Sequence, residues 1–381
     1  MGRRGGGECQ IVWPAGRLVA RELLRDAPRR SWVRGAGRFK DGWKGYAMKV
    51  AVIGAGSWGT AIAQLLACNG HNVSLWARKP QVVECINQQH YNPRYLSDAA
   101  LSENIVATTS YHDALLRASA VVVVTPSKLM RGVACAIGDI VGEDFPVIIC
   151  SKGVEEDSGM LAVQVFESEM GNADRFAVLS GPTFASEVVR GVPSAAVIAS
   201  SSKETAEFFQ GLFASESFRT YVSEDVTGVE LCGAYKNVIA IAVGASYGLG
   251  LGDNTAAMLM TRGLAEMTRL VVQCGGQSIT CMGLAGMGDL VLTCGSDTSR
   301  NRSFGRMLAQ GGTLEDFTQK THMVVEGAYA CKTITTLARR HDVELPICDA
   351  VRGVLWEGAS VNDELRILTS RPLTTEFYGI E

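Results

Sequence analysis

The chain lacks the features on which several function classes depend. Aromatic residues make up only 7% of its 381 residues, which argues against the stacking surfaces that hold single-stranded nucleic acid. No uninterrupted apolar run reaches the ~18 residues of a membrane-spanning helix, so no membrane insertion is expected. Eleven cysteines are scattered. They form no Cys-x-x-Cys pair and no Cys/His cluster at metal-ligand spacing, so no metal is expected. Cys68, Cys150 and Cys232 sit inside apolar runs and read as reduced core thiols of a cytosolic protein. The five histidines are dispersed, and none stands near a Ser or Cys nucleophile motif, which leaves triad hydrolysis without support.

What is present is ordinary globular composition: 47% hydrophobic, 20% charged and 42 glycines. The length suits two domains better than one. Charge is unevenly placed. Residues 1–47 hold eleven Lys/Arg and four Asp/Glu, a net of +7, whereas the remainder holds 25 basic and 35 acidic residues, a net of −10. A body that acidic is a poor duplex binder, though a local cationic pocket for a small anion is not forbidden. The Gly- and Arg-rich segment 1–47 has no secretory apolar core. It reads as a flexible extension, or as translation from upstream of a natural start at Met48; a targeting or nucleic-acid-binding arm is the alternative.

From Met48 the pattern alternates. Lys49–Gly54 is a short apolar run, as expected of a strand buried on both faces. Trp58–Asn69 has helical spacing, with Gly70 placed to stop it. Further strands are expected at 72–77, 104–109, 120–125, 146–150, 176–180 and 194–199. This alternation predicts an α/β, Rossmann-like domain over 48–225 with a mainly parallel sheet. Beyond it, helices are expected at 226–247, 254–275, 301–310, 324–340 and 347–357, giving an all-helical domain over 226–381.

Gly54-Ala-Gly56-Ser57-Trp58-Gly59 fits the G-x-G-x-x-G fingerprint, placed after the first strand and opening the first helix. Gly54 permits the turn, Gly56 lets backbone approach a pyrophosphate, and Gly59 lets helix and strand pack closely. The helix N-terminus adds oriented N–H groups. The second strand ends in Trp76-Ala77-Arg78-Lys79, with no acid to take a ribose 2′-hydroxyl. Two adjacent cations suit a 2′-phosphate, so NADP is preferred and NAD use is possible.

Ligands of open α/β sheets sit beyond the carboxyl ends of the strands. Three such ends are polar or small: Thr125-Pro126-Ser127, Ser151-Lys152-Gly153 and Ser180-Gly181-Pro182-Thr183. Lys152 is expected to point into the crevice. Lys236 stands before a long apolar stretch, where a charge must find a partner or a task. Held partly desolvated beside another cation, its pKa falls and it becomes a usable acid/base. Gly286-Met287-Gly288-Asp289 presents a carboxylate that is placed to orient Lys236. Ser299-Arg300-Asn301-Arg302 leads into a helix and reads as a phosphate cradle. Arg262, Glu266 and Arg269 share one helical face and read as a structural charge ladder.

These runs, together with Thr261–Met267, Gly288–Cys294 and Val324-Val325-Glu326-Gly327, strongly resemble the NAD(P)-dependent glycerol-3-phosphate dehydrogenases of the bacterial biosynthetic type, over about residues 49–370. The resemblance implies interconversion of sn-glycerol 3-phosphate and dihydroxyacetone phosphate, supplying phospholipid synthesis in the cytoplasm, by a homodimer. It makes Lys236 the proton acceptor and Lys152 a contact to both cofactor and substrate. It places Gly181, Thr183, Asp289, Ser299, Arg300 and Asn301 on the substrate. It places Ser57, Trp58, Arg78, Tyr95, Ala185, Arg300, Val324 and Glu326 on the cofactor. Tyr235 departs from the family pattern, which has an aliphatic residue before the lysine. The nearest rivals are β-hydroxyacid or ketopantoate-type reductases, which place Lys and Asn one helical turn apart; here Asn237 adjoins Lys236 and position 240 is Ala. A cofactor-sensing protein without turnover is the rival from another class, and retention of both lysines, Asp289 and Arg300 speaks against it.

Overall fold

The computed structural model describes residues 47–321, 323–376 and 379; residues 1–46, and with them the expected extension, lie outside the described residues. The described part forms an eight-stranded sheet and a set of helices. The strands are β1 (Lys49–Ile53), β2 (Asn72–Trp76), β3 (Ile105–Thr108), β4 (Ala120–Val123), β5 (Val147–Ile149), β6 (Phe176–Ser180), β7 (Ser194–Ala199) and β8 (Phe218–Ser223). Their order in space is β3-β2-β1-β4-β5-β6-β7-β8. The first six run parallel, β7 pairs antiparallel with β6, and β8 is parallel to β7. The order reverses between β1 and β4, which opens a crevice at the carboxyl ends of those strands.

Helices α1 (Ser57–Cys68), α2 (Pro80–Gln89), α3 (Tyr111–Leu115), α4 (Met130–Gly138), α5 (Ala162–Met170), α6 (Ala185–Val188) and α7 (Lys203–Phe213) connect the strands. Strands such as β4, Ala-Val-Val-Val, are buried at every residue, which follows from helices covering both faces. One apolar cluster joins Val50, Val52, Leu75 and Ile148 to Ile62 and Leu66 of α1. The other joins Ile53, Val123, Ile149 and Val178 to the helical half.

After Asp225 the chain is helical: α8 (Val226–Gly248), α9 (Asp253–Gln273), α10 (Ser278–Cys281), a π turn (Leu284–Gly288), α11 (Asp289–Gly295), α12 (Arg300–Ala309), α13 (Leu314–Thr321), α14 (Glu326–Arg340), α15 (Pro346–Trp356) and α16 (Val361–Thr369). α8 is long and apolar enough to cross a membrane by length and composition, but 83% of its most apolar window is buried in protein. An all-round apolar helix of that kind is a core helix. Residues 278–295 pass the same test of length and composition, but they are broken into three pieces and carry Asp289 in the middle.

Strand β8 was not expected, nor were α13 and α16. In β8 the residues alternate and Arg219 and Tyr221 face outward, so its apolar content is too low to read as a buried strand. The expected ladder of Arg262, Glu266 and Arg269 is also corrected. Glu266 accepts the Tyr235 hydroxyl at 2.5 Å and the Ile347 N–H at 3.0 Å, because its side of α9 faces α8 and the start of α15 rather than water. Arg262 donates to the carbonyl of Glu376 and Arg269 to that of Glu344.

α12 crosses α8 at backbone distance. A Cβ on Gly305 would overlap the carbonyl oxygen of Ile241, and one on Gly244 would overlap that of Arg302. Alanine at Gly305 gains about 1 kcal/mol of helix propensity. It must also push α12 away from rigid backbone, an overpacking cost of about 1–3 kcal/mol or more. Gly305→Ala is therefore expected to lower the urea midpoint; an unchanged or raised midpoint would show that the crossing has slack.

Candidate active site

The crevice is built from strand ends on one side and helix starts on the other. Gly54 follows β1 with φ +121°, and a Cβ there would overlap the Val124 carbonyl oxygen. A Cβ on Gly59 would overlap the Gly54 carbonyl, whereas one on Gly56 would meet nothing within 4 Å. Two glycines thus permit packing, and the third leaves open approach at the N-terminus of α1, where Ser57 is the first residue. The Trp58 indole N–H is buried without a hydrogen-bond partner among the described residues. Asn92, which the sequence reading passed over, is fully buried. It donates to the Ala55 carbonyl at 3.0 Å and the Thr60 hydroxyl at 2.8 Å, and its oxygen accepts the N–H of Tyr95. It therefore fixes the Tyr95 loop to the glycine loop. Arg78 and Lys79 are exposed between β2 and α2, with no ion pair among the described residues. This geometry fits a dinucleotide: closely packed glycines, an open helix N-terminus, and a buried indole N–H and two exposed cations that have no partner among the described residues.

The candidate chemical centre lies where the two halves meet. Lys152, just past β5, places its Nζ 2.6 Å from Asp289 Oδ2; Lys236, in α8, places its Nζ 2.6 Å from Asp289 Oδ1. Lys236 also donates to Thr293 Oγ1 at 2.7 Å. Asp289 is 2% exposed and Lys236 7%. Burial lowers the Lys236 pKa to about 8, with the Lys152 charge adding to the fall and Asp289 opposing it. Burial alone would raise the Asp289 pKa, but the two ammonium groups outweigh it and hold the carboxyl below its ordinary range. Thr293 was missed, although it stands one turn beyond Asp289 on α11, at the spacing that puts both on one face.

The remaining expected residues surround this group. Gly181 follows β6, the Thr183 hydroxyl donates to the Gly181 carbonyl at 3.2 Å, and Pro182 packs 3.6 Å from the position of a Cβ on Gly288. Ala185 begins α6. Ser299 caps α12 by accepting the Arg302 N–H. Arg300 is exposed at the first position of that helix, with no hydrogen bond or ion pair among the described residues. Arg302 turns away to Asp297 and to the face of Tyr247. The Asn301 side chain is engaged on both sides: its Nδ2 donates to Asn237 Oδ1 at 2.9 Å, and its Oδ1 accepts the Gly327 N–H at 3.1 Å. What Asn301 offers an anion is thus a place in the first turn of α12. Asn237, also missed, ties Lys236's helix to Arg300's. Val324 is half-buried just ahead of α14. Glu326 opens α14 and accepts the Ser127 hydroxyl at 3.1 Å across the crevice. Burial raises its pKa, against the pull of Ser127 and Arg300. Among the described residues no His, Cys, Asp or Glu cluster could hold a metal.

Comparison with known proteins identifies the family. The family described as NAD-dependent glycerol-3-phosphate dehydrogenase N-terminus matches residues 49–206, and its C-terminus counterpart matches 225–366. Glycerol-3-phosphate dehydrogenase [NAD(P)+] of Corynebacterium aurimucosum is 46% identical over 86% of this chain and 99% of its own length. The protein of that name from Nitratidesulfovibrio vulgaris is 45% identical over 86% and 100%. The crystal structure of glycerol-3-phosphate dehydrogenase from Coxiella burnetii superposes with a TM-score of 0.82 at 35% identity, covering 85% of this chain and 99% of that one. D-mandelate dehydrogenase, at 14% identity and a TM-score of 0.56, shares the fold alone. The chain belongs to the NAD-dependent glycerol-3-phosphate dehydrogenase family.

Proposed function

We propose that this chain interconverts sn-glycerol 3-phosphate and dihydroxyacetone phosphate with a nicotinamide cofactor. The observation that carries the reading is the pair of lysine ammonium groups, one from each half, on the two oxygens of one buried carboxylate. Residues 48–225 would hold the dinucleotide, through Gly54–Gly59 and the loops of Arg78, Tyr95 and Ala185. Residues 226–381 would complete the substrate site.

When bound, the nicotinamide supplies the hydride that the reaction exchanges. The protein supplies position, field and a proton. Arg300 and the first turn of α12, with Ser299 and Asn301, anchor the phosphate. Gly181 and Thr183 border the triose from the sheet side. Lys236 gives its proton to the C2 oxygen during reduction and takes it back during oxidation. Lys152 places positive potential where the C2 oxygen gains charge. Asp289 holds both ammonium groups toward one point, and fixed geometry of this kind saves the entropy of assembly. Val324 and Glu326 close the cofactor side.

Preference for NADP rests on Arg78 and Lys79. Neutral residues at both positions are expected to reduce the NADPH-over-NADH ratio of kcat/KM by about tenfold or more, two exposed phosphate contacts at about 1 kcal/mol each. A wild-type protein that prefers NADH would already dispose of the idea. A cytoplasmic homodimer feeding phospholipid synthesis is the setting that goes with this reading. The direct test is a substrate panel with both reduced cofactors. Dihydroxyacetone phosphate should turn over and unphosphorylated dihydroxyacetone should not; a preference for the unphosphorylated ketone or for a 2-keto acid would overturn the reading.

A further inference from the structure

The hydroxyl of Ser180 is buried and has no hydrogen-bond partner among the described residues. Ser180 is the last residue of β6 and 3% exposed. A buried hydroxyl without a partner is unfavourable in the free protein, and its surroundings locate it. The strand registers pair Val123 with Ile149 and Ile149 with Val178. Thr125 and Ser151 lie two residues beyond these pairs, just past the ends of β4 and β5, and Ser180 ends β6, so all three stand at the carboxyl edge of three adjacent parallel strands. Ser180 shares its face of β6 with Val178, the face whose apolar residues pack with α8. Ser151 is engaged, donating to the Thr125 carbonyl at 2.5 Å. The Thr125 methyl lies 3.4 Å from the position of a Cβ on Gly54, which places Thr125 on the dinucleotide side. Ser180 is on the other side of Lys152. A Cβ on Gly233 of α8 would stand 3.0 Å from Ser180 Oγ and 3.5 Å from Lys152 Cγ. The serine hydroxyl and the lysine stem thus both pack against Gly233, whose missing side chain permits the close approach, one turn of α8 before Lys236 and Asn237.

Dihydroxyacetone phosphate presents three polar groups. Its phosphate has Arg300 and the start of α12, and its C2 oxygen has Lys236 and Lys152. Its C1 hydroxyl has no residue assigned to it. We propose that Ser180 is a substrate-positioning residue whose hydroxyl pairs with the C1 hydroxyl of the triose. A serine hydroxyl both donates and accepts, which suits another hydroxyl. The pairing fixes the third point of the substrate and so selects which face of C2 meets the cofactor. It also makes the site discriminate against a phosphorylated ketone that lacks the C1 hydroxyl.

This inference rests on the dehydrogenase reading, and the test separates the two. Full-length wild type and Ser180→Ala are assayed with saturating NADPH on dihydroxyacetone phosphate and on its 1-deoxy analogue, hydroxyacetone phosphate. The variant is expected to lose about tenfold in kcat/KM on the first, the scale of one neutral hydrogen bond, and less than twofold on the second. Its KM for NADPH should be unchanged, and its melting temperature no lower, since an unpartnered hydroxyl contributes nothing to the free fold. Ser180→Thr, which keeps a hydroxyl, should recover part of the discrimination. Equal losses on both ketones, a raised KM for NADPH, or a lower melting temperature with no change in discrimination would each overturn the assignment. Wild type without turnover of dihydroxyacetone phosphate would instead overturn the dehydrogenase reading, and the inference with it.

Discussion

Lys236→Ala is expected to lower kcat for dihydroxyacetone phosphate reduction by about 10²–10⁴-fold, the range for loss of a positioned acid/base. The ammonium is buried, stands 2.6 Å from Asp289, and titrates near 8. The direction of its pH dependence follows. Reduction needs the protonated form, so its rate should fall as pH rises through about 8. Oxidation of glycerol 3-phosphate needs the neutral amine, so its rate should rise over the same interval. The wild-type profiles measured in both directions should mirror each other. A variant that retains near-normal turnover, or a profile flat between pH 7 and 9, would remove Lys236 from the proton transfer.

Asp289→Asn is the second large effect. The substitution keeps the shape but leaves two ammonium groups facing each other without their shared counter-charge. Breaking a buried ion pair by removing one partner costs about 3–5 kcal/mol. Lys152, whose side chain is 20% exposed, has some access to water and softens the loss. The protein should therefore melt well below wild type. The chemistry should change in a diagnostic way. Asp289 raises the Lys236 pKa, whereas burial and Lys152 lower it. With the carboxylate gone, burial and Lys152 lower the pKa further, opposed only by the smaller influence of Cys294. The descending limb of the reduction profile should move to lower pH than in wild type, and kcat at pH 7.5 should fall by about 100-fold. A limb that stays in place would mean that Asp289 does not set the proton affinity of Lys236, whatever happens to stability.

Much of this site was legible along the chain because its chemistry is local. The glycine loop must have glycine where a Cβ would meet a carbonyl, as at Gly54 and Gly59. Lys152 and Lys236 were conspicuous as single cations beside apolar or small residues. Asp289 followed a glycine-rich turn. Each stands out against its immediate neighbours. Thr293 and Asn237 were readable in principle, one turn or one residue from a residue already singled out. Asn92 was not, because it acts on Ala55 and Thr60, far away in sequence; Ser127 was legible as part of a polar strand end, but its bond to Glu326 was not. Glu266 was misread for the same reason. On its own helix it has arginine neighbours, while its actual partners, Tyr235 and the N–H of Ile347, come from two other helices. The unusual tyrosine before Lys236 has its use there, as a buried donor between α8 and α9.

Periodicity and local backbone demands were enough to place the strands, the long helices and the dinucleotide turn, since an apolar repeat and a position needing glycine are properties of a few consecutive residues. They could not say that the amines of Lys152 and Lys236, 84 positions apart, would meet on one carboxylate, nor that the Ser180 hydroxyl would have no partner among the described residues. Those outcomes depend on how deeply α8 is enclosed and on the glycine contacts that let α12 and the strand ends approach it. Burial and proximity set proton affinity and hydrogen-bond need, and both arise only when distant segments pack.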